Sequence, residues 1–393
     1  LVEASEKEKE ARGTQFTPLE ILRQPASWQK TYQICGEQRP DLCRFLQSAG
    51  IKGTGDDAQP ALRPILYLVG AGTSDYVGRA LTPLLRRLWG CEVSAVPSTD
   101  LLTNPQDLVF EDRPYLWISF SRSGDSSEGL AVLEAAFERY PKVRHLLVTC
   151  NQSGRMAALC AKAPERAFVL ALDESANDRG LAMTGSFTNM VIAGHCVAHA
   201  FSGDDYADTF NLLQRAGERF LESAQEVATA IVTEDFSRAC FVGSGALHAV
   251  AQESALKLLE LTAGKITTFS ESTLGLRHGP MSALDGSTVF VNFLSRDPRR
   301  QKYEMDLIEE VSRKRLVKIL VAVAPEPSTR LDRLANHVLS LNTPRLADEY
   351  RGPLDVMLAQ LLGLFSSLRL GLQPDFPSPN GAISRVVSHV NIY

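Results

Sequence analysis

Pro64-Ile65-Leu66-Tyr67-Leu68-Val69-Gly70-Ala71-Gly72-Thr73-Ser74 is a short apolar run that stops at a glycine-rich turn bearing two hydroxyls. An apolar run this short, bounded by turn residues, fits a strand covered on both faces. The turn behind it places backbone N–H groups at the start of a following helix, where unpaired donors and the helix dipole favour an anion. Similar runs follow at Val93-Ser94-Ala95-Val96, Leu116-Trp117-Ile118-Ser119-Phe120 and Leu146-Leu147-Val148-Thr149, with helical segments between them. That alternation predicts an α/β fold in which a flavodoxin-like parallel sheet lies between helical layers, a three-layer αβα sandwich.

After a helical region at about 184–232 the series restarts. Cys240-Phe241-Val242-Gly243-Ser244-Gly245-Ala246 echoes Leu68-Val69-Gly70-Ala71-Gly72-Thr73, and Val289-Phe290-Val291-Asn292-Phe293-Leu294-Ser295-Arg296 echoes the run ending Ser119-Phe120-Ser121-Arg122. A repeat on this scale is a whole duplicated domain. Val317-Lys318-Ile319-Leu320-Val321-Ala322-Val323 and His337-Val338-Leu339-Ser340-Leu341 supply further strands, and a long helix is expected at about 346–372 before a proline-rich tail at 374–379. The expected division is a helical arm over 1–55, a first domain over 56–225, and a second domain with the C-terminal tail over 226–393. In the arm, Thr17-Pro18-Leu19-Glu20 reads as a capping signal for a helix.

The composition narrows the function classes. A chain of 393 residues with 44% hydrophobic and 22% charged residues buries a sizeable core. A net charge of −5 provides no general positive field for nucleic acid or an acidic membrane, while a local anion site stays open. No apolar run approaches the length of a membrane span, and no basic-then-apolar leader opens the sequence. The seven cysteines are scattered and lack CxxC or metal spacing, so they read as reduced thiols of a cytoplasmic protein.

Candidate chemistry sits at four places. Gly72 and Ser74 belong to the first turn. Ser121, Arg122, Ser123 and Ser126 stand where the third strand ends, beside the first in a flavodoxin-like order, and open α/β sheets bind ligands there. Several neutral hydroxyls converging with a helix N-terminus suit a phosphate dianion. The plainer reading makes Ser74 or Asp75 a helix cap, Asp125 with Glu128 a capping box, and Arg122 the partner of a surface carboxylate. Third, Glu253, Lys257 and Glu260 fall on one helical face at spacings of four and three; the plain reading is a solvated charged stripe, and Lys257, a candidate substrate-binding residue, reads as the ion partner of a carboxylate in preference to a nucleophile. Fourth, Arg277-His278-Gly279-Pro280 presents a histidine on a turn. A carboxylate, a histidine and a phosphate loop together suit aldose–ketose chemistry, in which a base moves a proton at C2 while another group opens the ring.

Taken in order, Gly70-Ala71-Gly72-Thr73-Ser74, Ser121-Arg122-Ser123-Gly124-Asp125-Ser126, Glu253-Ser254-Ala255-Leu256-Lys257 through Glu260, and Arg277-His278-Gly279-Pro280 resemble the isomerase half of glucosamine-6-phosphate synthase, a tandem pair of SIS (sugar isomerase) domains. With Asp178-Arg179-Gly180-Leu181-Ala182-Met183-Thr184 and Glu260-Leu261-Thr262-Ala263-Gly264-Lys265, the chain is similar over nearly its full length to the galactosamine-6-phosphate deaminase/isomerase family, also labelled tagatose-6-phosphate ketose/aldose isomerase. The resemblance implies a phosphorylated amino sugar as substrate, hydrolytic deamination with isomerisation, no cofactor, and a homodimer or larger assembly with active sites at the subunit interface. It implies that Ser74, Ser121, Ser123, Ser126 and Thr184 hold the phosphate, that Glu260 shuttles the C2 proton, and that His278 of a neighbouring subunit assists ring opening. Where the synthase has a carbonyl-binding lysine, this chain has Arg385, which forms no imine and would orient or polarise instead. Met183-Thr184-Gly185 departs from the synthase-like Ser-Thr-Lys.

Two other readings are carried forward: a hexose-6-phosphate aldose–ketose isomerase without deamination, and a non-catalytic sugar-phosphate sensor. His195 and His199, one helical turn apart with no nearby carboxylate, read as core or interface histidines rather than a metal pair, and Trp28, Trp89 and Trp117 read as packing.

Overall fold

The computed structural model describes residues 1–52, 63–378, 381–386 and 390–393. The expected arm boundary at 55/56, Pro379 of the tail and Val387 beside Arg385 lie outside the described residues. Helices α1 (Glu6–Arg12), α2 (Thr17–Leu22) and α3 (Gln24–Ser48) open the chain. There follow β1 (Ile65–Gly70), α4 (Thr73–Trp89), β2 (Val93–Pro97), α5 (Ser98–Thr103), α6 (Pro105–Leu108), β3 (Tyr115–Ser121), α7 (Ser127–Arg139), β4 (Val143–Thr149), α8 (Arg155–Cys160) and β5 (Ala167–Ala171). Helices α9 (Gly185–Ala198) and α10 (Ala207–Val232) lead to β6 (Arg238–Gly243), α11 (Ala246–Leu261), β7 (Thr267–Ser272), β8 (Thr288–Phe293), α12 (Pro298–Lys314), β9 (Ile319–Ala324), β10 (His337–Ser340) and α13 (Gly352–Arg369).

Both sheets are fully parallel and five-stranded. The first runs β2-β1-β3-β4-β5 and the second β10-β9-β8-β6-β7, the same winding counted from its own first strand. Leu66 of β1 stands opposite Val93 of β2 and Leu116 of β3, and every residue of β1 and β3 is buried. Such double coverage requires helices on each face, which right-handed βαβ crossovers supply. In the second sheet, Cys240, Val242, Phe290, Leu320 and Ala322 pack with Leu307, Ile308 and Val311 of α12. Each fully buried Val, Leu, Ile or Phe among them contributes about 1.5–3 kcal/mol.

Two strands went unread in the sequence, and both are edges. β5 is half-buried, and β7, Thr-Thr-Phe-Ser-Glu-Ser, has no fully buried residue. An edge strand with one open side lacks the continuous apolar run that marked the central strands. The expected helix at about 346–372 is shorter, since a 3-10 turn at Asp348–Tyr350 precedes α13 and Arg351 sits at its N-cap.

The chain folds into two compact units, each drawn from several segments of the sequence. One holds Leu1–Pro25, Asp178–Thr184 and Thr209–Ile383 with the second sheet; the other holds Ala26–Asn177, Gly185–Asp208 and Ser384–Tyr393 with the first. The N-terminal arm is therefore split at residue 25. The expected cap at Thr17 is also corrected: Phe16 is the N-cap of α2 and makes no side-chain cap, and Asp375 accepts the N–H groups of Gln15, Phe16 and Thr17 instead, at 2.7, 3.1 and 2.7 Å. A buried carboxylate satisfies those orphan donors as a cap would, and with full charge.

Candidate active site

In the unit of the first sheet, β1 ends at Gly70 and the chain turns into α4. A Cβ on Gly70 would stand 2.4 Å from the carbonyl carbon of Ser74, and Gly72 holds φ at 56°, so the turn itself requires both glycines. Gly72 is the N-cap of α4 and makes no side-chain cap, which overturns the reading of Ser74 or Asp75 as the cap; Asp75 pairs with Arg79 at 2.8 Å. Ser74 is buried at the first turn of the helix.

β3 pairs with β1 and ends at Ser121. Ser121 Oγ accepts the Gly124 N–H at 3.0 Å and Ser123 Oγ accepts the Asp125 N–H at 3.2 Å, folding turn 121–126 back over the strand end. Ser126 is the N-cap of α7 and its hydroxyl makes no capping bond. The expected Asp125–Glu128 capping box is therefore not formed, and Asp125 accepts the Arg155 N–H at 2.9 Å instead. Among the described residues no carboxylate accepts from Ser74, Ser121, Ser123 or Ser126.

The turn is braced by a loop that the sequence reading passed over. Asn151 Nδ2 donates to the Ser123 carbonyl at 2.7 Å, Met156 N–H donates to the Gly124 carbonyl at 2.9 Å, and a Cβ on Gly154 would stand 2.8 Å from the Ser123 carbonyl oxygen. The signal was present in the polar run Asn151-Gln152-Ser153-Gly154 directly after the fourth strand, where α/β sheets keep their binding loops. Arg122 is buried and donates at 2.6 Å to the carbonyl of Arg385, whose own guanidinium donates to Asn177 Oδ1 at 2.7 Å. Arg122 therefore does not take the surface role allowed for it; it latches the C-terminal segment to the seryl turn.

In the unit of the second sheet, α11 carries Glu253, Lys257 and Glu260 on one face. Lys257 Nζ lies 3.4 Å from Glu253 Oε1 and 2.5 Å from Glu260 Oε2; Lys257 and Glu253 are fully buried, while the Glu260 side chain is 29% exposed. A solvated stripe is excluded by this burial. Burial works against the Lys257 charge, the two carboxylates outweigh it, and the ammonium is held more firmly than usual. The result is a reactive geometry: a carboxylate at the surface, oriented by a cation that cannot move away.

His278 is exposed, following a 3-10 turn at Gly275–Arg277, and Gly279 behind it takes φ 123°. Leu276 anchors that loop in the core while Leu274 stays 45% exposed, and Arg277 pairs with Glu310 at 2.8 Å. Thr184 does not offer the open hydroxyl expected of a phosphate ligand. It is fully buried, and Asp178 accepts both its N–H at 2.7 Å and its hydroxyl at 3.4 Å. Glu20 of α2 holds the same loop, accepting the Arg179 N–H at 2.5 Å, and burial together with the neighbouring Asp178 pushes its carboxyl up to about 7.

His195 is fully buried against the Tyr206 hydroxyl at 3.0 Å, and His199 stacks on the same ring. Trp28 and Trp89 donate to Thr188 and to the Ala198 carbonyl, and Trp117 packs with Tyr67. Among the described residues no cluster of His, Cys, Asp or Glu has metal-holding geometry, and no helix is long and apolar enough to cross a membrane.

A relative from Streptomyces coelicolor carrying the AgaS name is 38% identical over 96% of this chain and 95% of its own. D-galactosamine-6-phosphate deaminase AgaS of Escherichia coli is 35% identical over 98% of this chain and 96% of its own. The crystal structure of tagatose-6-phosphate ketose/aldose isomerase from Escherichia coli superimposes with a TM-score of 0.84 at 34% identity, covering 92% of this chain and 95% of that one. The SIS domain model matches residues 64–200 and 234–364, the two sheets with their turns. The fold, the repeated turn and these likenesses agree: the chain belongs to the SIS domain family.

Proposed function

We propose that this chain is a sugar-phosphate deaminase/isomerase that converts D-galactosamine 6-phosphate and water to D-tagatose 6-phosphate and ammonia. The observation that carries the reading is the Glu253–Lys257–Glu260 face of α11, in which a buried ammonium orients the one carboxylate of the three groups that reaches solvent. Ser121, Ser123, Ser126 and Ser74 hold the phosphate with hydroxyls and backbone N–H groups, a set that binds a dianion and still releases it. The likeness to chains named for this deaminase supports the substrate.

Glu260 takes the proton from C2 of the open-chain amino sugar and returns it to C1. C1 becomes a CH2OH group and C2 a protonated imine, to which water adds before ammonia leaves. No bond to an enzyme lysine is needed, which agrees with an arginine at 385. His278 acts at ring opening, and an exposed histidine beside an exposed Leu274 fits a loop contributed to a neighbouring copy in a homodimer or larger assembly. Thr184, with its hydroxyl turned to Asp178, supports its loop rather than the phosphate. The reaction belongs to cytoplasmic N-acetylgalactosamine catabolism and proceeds without a cofactor.

Ammonia release from galactosamine 6-phosphate, glucosamine 6-phosphate and a tagatose 6-phosphate control tests the reading in wild type and Glu260→Gln. Release from the galacto substrate that is lost in the variant supports it. Interconversion of amine-free sugars with no ammonia assigns the plain isomerase, a reading that the 34% likeness to the ketose/aldose isomerase favours. Binding without turnover of any of them assigns the sensor.

A further inference from the structure

The repeat gives this chain a second turn of the same construction, at the carboxyl ends of β6 and β8. Gly245 takes φ 60° and ψ −127° where Gly72 takes 56° and −125°. A Cβ on Gly243 would stand 2.4 Å from the Leu247 carbonyl oxygen, as one on Gly70 would from Ser74. The pairing of β6 with β8 makes this the switch point of the second sheet, the place where such sheets take ligands.

Its donors are already engaged. Asp348, 3% exposed, accepts the Ser295 hydroxyl and, at 2.9 Å, the Arg296 N–H. Arg300 Nη1 stands 3.3 Å from one of its oxygens and Arg351 Nη1 3.5 Å from the other. Hydroxyl, backbone N–H and two guanidinium groups around one carboxylate are the donor set that a bound oxyanion takes. A second carboxylate, fully buried Glu304, accepts the Ser295 N–H at 2.7 Å. Ser74 of the first turn becomes Leu247 here.

We infer that the second switch-point crevice is an anion site filled by the chain's own Asp348 carboxylate, so that each chain offers one phosphate-binding turn and not two. The filled crevice ties the segment that starts α13 to the strand ends of the second sheet, converting a ligand site into an internal strut. The inference goes beyond the deaminase reading and does not need it, because its readouts are stability and anion uptake.

The test is chemical rescue. Truncation in Asp348→Ala leaves the donors in place and removes the carboxylate, and sodium formate restores it as a separate ion. Melting temperature is followed against formate, with sodium chloride at equal ionic strength as control, in wild type, Asp348→Ala and Asp348→Asn. A saturable rise of several degrees in Asp348→Ala, with none in wild type and none in the amide variant that still fills the space, is expected. Should Asp348→Ala fail to fold in chloride, refolding yield with and without formate is read instead, and recovery in formate alone is the expected result. Formate insensitivity of Asp348→Ala overturns the inference, as does an Asp348→Asn variant as stable as wild type. Uptake of two equivalents of inorganic phosphate per wild-type chain, measured by calorimetry, overturns it too.

Discussion

Replacing Glu20 by Gln should make the protein less sensitive to rising pH. Glu20 is 2% exposed and titrates at about 7 when folded against 4.5 ordinarily, because burial comes first among the causes and Asp178 adds to it, while the Arg179 and Gly180 N–H groups and Arg23 pull the other way. A carboxyl whose folded value is raised binds its proton more tightly in the folded state, so its contribution to stability is greatest below pH 4.5 and is lost as pH rises to about 7. At about 1.4 kcal/mol per tenfold, the gap between 4.5 and 7 corresponds to about 3 kcal/mol. The Gln amide oxygen still accepts from the 178–184 loop but carries no charge to desolvate. Urea unfolding of both proteins at pH 5 and pH 8 should therefore show the variant gaining about 2–3 kcal/mol on wild type across that interval, most of the full gap. A difference between the two proteins that stays constant with pH refutes the argument, because it leaves Glu20 with the same protonation in both states.

Three further outcomes follow from the site. Asn151→Ala removes one brace of the seryl turn, a net hydrogen bond worth about 1 kcal/mol, and should raise KM about fivefold with kcat nearly unchanged in steady-state assays with the phosphorylated substrate. Gly70→Ala forces a Cβ to 2.4 Å from the Ser74 carbonyl carbon and should raise KM by more than tenfold, checked by the same assay and by calorimetric binding of inorganic phosphate. Lys257→Met removes a fully buried ammonium from between two carboxylates and should cost about 3–5 kcal/mol in urea unfolding, together with a large loss of kcat.

Much of the fold was legible because parallel strands buried on both faces leave continuous apolar runs, as at residues 65–69 and 240–242, and because a βα turn in this geometry tolerates only glycine at 70, 72, 243 and 245. The edge strands β5 and β7 were not legible, since half-exposed positions carry mixed residues that neither period marks. The seryl turn was found from its hydroxyls, but its braces at Asn151 and Gly154 were not, because a hydrogen bond to the carbonyl of Ser123 imposes no recognisable spacing.

Spacing alone placed Glu253, Lys257 and Glu260 on one face of a helix, and residue identity alone made Arg385 unfit for imine chemistry. Whether that helical face was a solvated stripe or a buried ion cluster was decided by burial, which depends on what packs over α11 and is not encoded in the helix itself. The same holds for Thr184, whose hydroxyl was taken by Asp178, and for the second turn, whose sequence repeats the first without showing what fills it. Asp348, fifty-two residues beyond Arg296, fills it. Local geometry is fixed by a few consecutive residues and can be read from them; the partner of a buried charge arrives from anywhere in the chain, and only the tertiary structure brings it.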